Sequence, residues 1–234
     1  RSYGKVLLRI TDARKTRQVD YKKARLCAAT AQGSAQIYYG AIFQSVDTVA
    51  LLWAQTAKEA GMSMLSHVHV LADGATWIDT HRRVAFGERG DLLIDLYHVL
   101  EYLGEASSSC SDKPVRWLKT QKARLKKGRS NKVIKELEKY LEPTGQPDES
   151  SPVRCAWRYL GNRRNHLAYD EAIEKELPVG SGLIESGNKH VLQARLKIPR
   201  ASWKIENAEN FAKTRAIRAN KGWGKYWQEL KEAA

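Results

Sequence analysis

The apolar pattern of this chain changes period near Leu96, and that change sharply limits the folds it can adopt. Upstream, short apolar runs read as strands at Lys5–Ile10, Ala24–Ala29 and Ala35–Phe43, the last two joined by a turn at Gly33 and Ser34. Val49, Leu52, Trp53 and Ala57 share helical spacing, which predicts a helix over 46–60 closed by Gly61. Two more apolar strands follow, His67–Ala72 ending at Asp73-Gly74 and Asp91–Asp95 ending just before Tyr97 and His98. Beyond Leu96 the strand signals stop. Val133, Ile134, Leu137, Tyr140 and Leu141 form one apolar helical face, and Pro143–Pro152 reads as a break. Helices are expected over 153–167, 183–197 and 202–221, with a Pro178 to Gly182 loop before the second of these. An antiparallel meander followed by strand, helix and strand implies an α/β fold with a mixed sheet.

Charge is distributed as unevenly as hydrophobicity. The 234 residues carry 40 Lys and Arg against 26 Asp and Glu, a net charge of +14. Residues 1–31 hold nine basic and two acidic groups, and 113–132 hold nine basic and no acidic ones. Between Ser66 and Glu105 the sign reverses, with seven acidic groups against three basic. An acidic centre with basic flanks suits a metal-assisted phosphodiester enzyme, since carboxylates hold cations while Lys and Arg neutralise phosphates. Solvated helix faces would carry the same charges with no chemistry attached. Apolar runs such as Val6–Leu8 fall far short of the roughly 20 residues that span a bilayer, so no membrane role is expected. Cys27, Cys110 and Cys155 lack paired spacing, which points to a reducing, cytoplasmic compartment rather than a disulfide framework. The chain opens on Arg1 without a secretory leader pattern, and a longer parent protein is the expectation.

Several residues could do chemistry, each with a plainer alternative. Asp73 ends a strand, where open α/β sheets bind ligands, but Asp-Gly is also an ordinary turn. Asp95 and His98 could hold a metal or could cap and pack a helix. Glu185 follows the Gly180-Ser181-Gly182 entry to a helix, with Asn188 and Lys189 at the next turn. That grouping suits a cation beside a phosphate, while a Glu near a helix N-terminus is favourable by itself. His67 and His69 form a weak metal-pair pattern without a suitably spaced third ligand. Lys119, Lys122, Arg124, Lys126 and Lys127, with Trp117 among the basic residues before them, read as a phosphate-contacting helix or as a solvated face. Trp203, Trp223 and Trp227 read as core or partner contacts.

Four segments, taken in order, carry a resemblance. They are 12–17 (DARKTR), 73–78 (DGATWI), 94–103 (IDLYHVLEYL) and 180–190 (GSGLIESGNKH). Together they resemble bacterial insertion-sequence transposases of the DDE type, specifically the ISKra-type group, from about Asp12 to Trp227. The resemblance implies an RNase H-like mixed sheet flanked by helices and interrupted by an all-helical insertion. Its expected division is a strand-rich core part at 1–95, the helical insertion at 96–177, and a C-terminal helical part at 178–234 carrying the catalytic Glu. It implies three carboxylates binding two Mg²⁺ or Mn²⁺ ions, with Asp73 matching the second catalytic Asp and Glu185 the catalytic Glu. Their separation of 112 positions fits a core split by the insertion. Asp95 and His98 match an Asp-x-x-His element close to the active site, and Asn188 would support the Glu. Lys119, Lys122, Arg124, Lys126, Lys127, Lys189 and Arg195 would contact DNA.

The family's first catalytic Asp lies in an Asp-Gly sequence on the first strand, and no such sequence precedes Arg14. Its expected position is upstream of Arg1, with Asp12 the weaker alternative. The expected partners are double-stranded DNA, both transposon ends and target, and further copies of the chain. Bound to DNA, the protein would be found with the nucleoid. Two other readings share these residues: a DNA-binding relic without a functional metal pair, and an RNase H-like nuclease that cuts without joining strands.

Overall fold

A computed structural model describes residues 22–43, 46–199 and 201–233. The expected strand Lys5–Ile10, Asp12 and the 14–17 motif lie outside the described residues. The described residues are mixed α/β, about 61% of them helical, with two small sheets.

Strands β1 (Arg25–Ala29) and β2 (Tyr38–Ile42) pair antiparallel, Arg25 opposite Ile42 and Ala29 opposite Tyr38. A short 3₁₀ turn leads into α1 (Val49–Glu59), which ends before Gly61. Strands β3 (Val68–Ala72) and β4 (Gly90–Ile94) then pair parallel, joined by α2 (Thr76–Phe86), so that Val68 faces Gly90 and Ala72 faces Ile94. Parallel neighbours need a crossover of this kind. Apolar spacing does not signal α2, because its buried face reads Ile78, Arg82, Phe86. Arg82 occupies the middle position by pairing with Asp79 at 2.8 Å and donating to the Gly90 carbonyl. Among the described residues β1–β2 and β3–β4 are separate pairs rather than one sheet.

The rest is helical: α3 (Leu96–Cys110), α4 (Pro114–Lys126), α5 (Ser130–Glu138), α6 (Pro152–Asn162) and α7 (Tyr169–Glu174). Helix α8 (Gly182–Gly187) passes into a π-helical stretch, Asn188–Gln193, and a last α turn, Ala194–Leu196. Two further helices, α9 (Ile205–Ala219) and α10 (Trp223–Glu232), complete the described chain. Pro114 and Pro152 stand in the first turns of α4 and α6, where a missing N–H costs nothing. The helix expected over 153–167 stops at Asn162 and gives way to a 3₁₀ turn at Arg164–His166.

Among the described residues two cores hold these elements. The larger joins Ile78 and Leu92–Ile94 to Val99, Leu103, Leu125, Val133, Leu137, Val153, Leu160 and Tyr169. On α3 its members Leu96, Val99, Leu103, Ala106 and Cys110 alternate by three and four residues, one helix face turned wholly inward. The helical stretch 96–177 therefore shares its interior with β3 and β4 rather than having a core apart. Tyr140 and Leu141, grouped with Val133 by spacing, lie past the end of α5 at 39% and 38% exposure. The smaller core gathers Ala41, Val191, Leu192, Ala212 and Ala216, where small side chains let α9 lie close on β2. Asn220 fastens that contact. Its Oδ1 accepts the Tyr39 N–H at 2.7 Å, and its Nδ2 donates to the Tyr39 carbonyl and to Glu59. Among the described residues, the edge of β2 away from β1 thus meets an amide in place of another strand.

Candidate functional site

The site begins where β3 and β4 end side by side. The Asp95 N–H donates to the Ala72 carbonyl at 2.8 Å, extending the ladder by one bond. Asp73 and Asp95 thus follow neighbouring strand ends, the usual ligand position of a parallel sheet, and their surroundings differ completely. Asp73 is exposed, and its Oδ1 accepts the Ala75 N–H at 3.0 Å in a tight turn. Gly74 makes that turn with a φ of +78°, backbone that favours glycine.

Asp95 is only 4% exposed. One oxygen caps α3, accepting the N–H groups of Tyr97 at 2.6 Å and His98 at 3.3 Å. The other accepts the Ser181 N–H at 2.7 Å, across 86 residues of chain. The Leu96 N–H donates to the Val179 carbonyl, and His69 Nε2 lies 2.9 Å from the Pro178 carbonyl. The segment 178–181 is therefore laced to the strand ends, and α8, carrying Glu185, starts at the next residue. Asp95 is thereby a cap and a latch, the capping alternative for this residue. His67 pairs with Asp91 at 2.7 Å while His69 faces Pro178, so the two histidines of the weak metal-pair pattern serve different partners.

The Glu185 side chain is exposed, and its carboxylate takes no hydrogen bond or ion pair from the described residues. His98 Nδ1 lies 3.0 Å from a Glu101 carboxylate oxygen, with the ring edge against Tyr102 and Tyr159. Asn188 opens the π-helical stretch, a local widening often found at functional sites. Asp73 and Glu185 offer exposed carboxylate oxygens, the donors that Mg²⁺ and Mn²⁺ prefer. Among the described residues no three His, Cys, Asp or Glu side chains converge to hold a metal.

The cations divide by neighbourhood. Lys119, Lys126, Lys127, Lys189 and Arg195 are exposed. Lys122 is half-buried, its ammonium 5.2 Å from the centre of the Tyr97 ring. That ring is 58% exposed beside Gly180, whose added Cβ would approach it within 2.6 Å. Lys122 thus faces the strand ends. Arg124 instead ties α4 to α5, reaching Gln121 at 3.1 Å and Glu136 at 3.7 Å.

Tyr159 and Arg163 belong to the site without a counterpart among the motif residues. The Tyr159 hydroxyl donates to the Asp73 carbonyl at 2.6 Å, and Arg163 Nε donates to the Gly74 carbonyl at 2.8 Å. Tyr159 stacks on Tyr102 with 4.1 Å between centroids, and the Arg163 guanidinium covers it at 4.0 Å. Burial pushes the Tyr159 hydroxyl far above the usual tyrosine range, so it stays a donor. The sequence signal available was modest: a Tyr and an Arg four residues apart share a helix face.

These features define a mixed α/β protein with a carboxylate-bearing site at the ends of a parallel strand pair. The chain belongs to UPF0236, an uncharacterised protein family, whose family model matches residues 52–232 and so takes in both Asp73 and Glu185. Neither the curated proteins nor the solved structures yield a match. Among the described residues no helix is long and apolar enough to cross a membrane.

Proposed function

We propose that this chain belongs to the catalytic domain of an insertion-sequence DDE transposase of the ISKra-type group, built on an RNase H-like core. One observation carries the reading: Asp95 binds the Ser181 N–H, bringing the approach to Glu185 to the strand ends that bear Asp73. The order of the elements supports it, an antiparallel pair followed by a parallel β3-α2-β4 unit.

Asp73 and Glu185 would hold divalent Mg²⁺ or Mn²⁺, as two of the three carboxylates that the family resemblance implies. The ions would supply activation of water or a DNA 3′-hydroxyl and stabilisation of the leaving oxygen in an in-line displacement. The chain's own residues do the rest. Asp95 holds the Glu-bearing loop, and His98 packs against the tyrosines behind Asp73. Lys122 at the site, and Lys119, Lys126, Lys127, Lys189 and Arg195 around it, neutralise backbone phosphates without reading sequence. The protein works on double-stranded DNA as a homo-oligomer that pairs two transposon ends.

The test is cleavage of supercoiled plasmid DNA by the full chain with Mg²⁺ or Mn²⁺. Asp73→Asn and Glu185→Gln are each expected to abolish nicking while leaving DNA retention on a gel nearly unchanged. Full activity in either variant would remove the site assignment. Binding without cleavage by the unaltered full-length protein would favour the relic reading, and nicking without joining of a cut end to target DNA the nuclease one.

A further inference from the structure

We propose that Tyr159 and Arg163 are positioning residues for Asp73, so that the helical stretch between the two carboxylates sets the geometry of one of them. The inference rests on the reading of Asp73 as a cation-holding carboxylate. Asp73 is exposed, and its side chain has one hydrogen bond among the described residues, from the Ala75 N–H. Among the described residues that single bond is all that orients the carboxylate directly. What is fixed is the main chain on either side of it. The Tyr159 hydroxyl holds the Asp73 carbonyl and Arg163 Nε holds the Gly74 carbonyl, so both peptide groups of the turn are pinned from the C-terminal end of α6 and the residue that follows it.

The pins are themselves rigid. Tyr159 is 7% exposed and clasped between the Tyr102 ring and the Arg163 guanidinium. A second Arg163 nitrogen donates to the Tyr159 carbonyl at 3.2 Å, which fixes the fork of the side chain. Space is fully used on the far side: a Cβ on Gly74 would approach Arg163 Nε within 2.7 Å and Ile94 Cδ1 within 2.8 Å. A turn held this way presents the Asp73 side chain in one direction, which a cation site requires and an ordinary Asp-Gly turn does not. Held loosely, the carboxylate would lose affinity by the entropy of ordering it on binding.

The experiment uses Tyr159→Phe, which removes one hydroxyl and keeps the stack, and Arg163→Lys, which keeps the charge and loses the Nε–H donor. Three readouts are compared in the full chain: amide hydrogen exchange at Gly74 and Ala75, Mn²⁺ binding, and plasmid nicking split into kcat and KM. Each variant is expected to speed exchange at both amides and weaken Mn²⁺ binding roughly three- to tenfold, the range of one buried hydrogen bond. In nicking, kcat falls while KM for DNA holds. A purely structural role would lower the melting temperature and leave Mn²⁺ affinity and the kcat-to-KM split alone, and that result overturns the inference. Asp73→Asn separates the two claims. If it still nicks, the transposase reading fails. If it is inactive while Tyr159→Phe exchanges amides and binds Mn²⁺ like the unaltered protein, the positioning role alone fails.

Discussion

The two candidate carboxylates stand on different cores. Asp73 follows β3, whose partner β4 carries Leu92, Leu93 and Ile94 at 9%, 4% and 0% exposure in the larger core. Glu185 rides on α8, which packs on β1 and continues into Val191 and Leu192 of the smaller core. The larger core is built from big aliphatic side chains on many elements. The smaller one sets Ala212 and Ala216 of α9 with Val191 and Leu192 against Ala41, on a hairpin whose β1 residues are all only half-buried. Each buried large side chain contributes about 1.5–3 kcal/mol, so the half with Asp73 is the rigid one. The half with Glu185 is steadied by polar ties, Asp95 to Ser181 and Asn220 to Tyr39. A site spanning two such halves depends on the bonds between them as much as on its own carboxylates.

That contrast can be broken from either side. The largest loss of stability is expected from Leu160→Ala at a fully buried position of the larger core, about 2–5 kcal/mol by denaturant titration. Asp95→Ala removes a helix cap and the latch together. It should cost about 1–3 kcal/mol in thermal unfolding and speed proteolysis between Leu177 and Leu183, because the loop leading to Glu185 is released. Asn220→Ala acts only on the smaller core, with an expected loss of about 1–2 kcal/mol and faster amide exchange confined to β2 and α9. A loss as large as that of Leu160→Ala would mean that the two cores unfold as one unit. Replacing Lys119, Lys126 and Lys127 by Ala should change stability by less than about 0.5 kcal/mol, since surface substitutions rarely do more. The same triple variant should flatten the logarithmic salt dependence of DNA binding by about 0.9 per lost phosphate contact. An unchanged slope would make that face of α4 a solvated surface.

Where local pattern decides structure, the sequence was legible. β3 and β4 fall within a residue or so of the apolar runs His67–Ala72 and Asp91–Asp95, and α9 lies inside the expected 202–221. Helix α2 escaped because Arg82, a charged residue, occupies its inner face, which is possible only with Asp79 and the Gly90 carbonyl in place. Helix α10 is a different case. Its aromatic cluster of Trp223, Tyr226 and Trp227 packs largely on itself, with Trp223 38% and Trp227 47% exposed. Those tryptophans, with Trp203 at 41% exposure, are therefore not core residues.

The sequence by itself determined the kinds of elements, the switch to helix after Leu96, the basic stretch on α4 and the identity of the acidic residues, because periodicity and charge are local properties. Only the tertiary structure decided what each acidic residue does. Asp95 spends both oxygens on backbone N–H groups, one of them 86 residues away, and Asp73 has its carbonyl held by a tyrosine at the same separation. No local pattern encodes such bonds, because their donors and acceptors meet only after the large core has closed and excluded the water that would otherwise satisfy them.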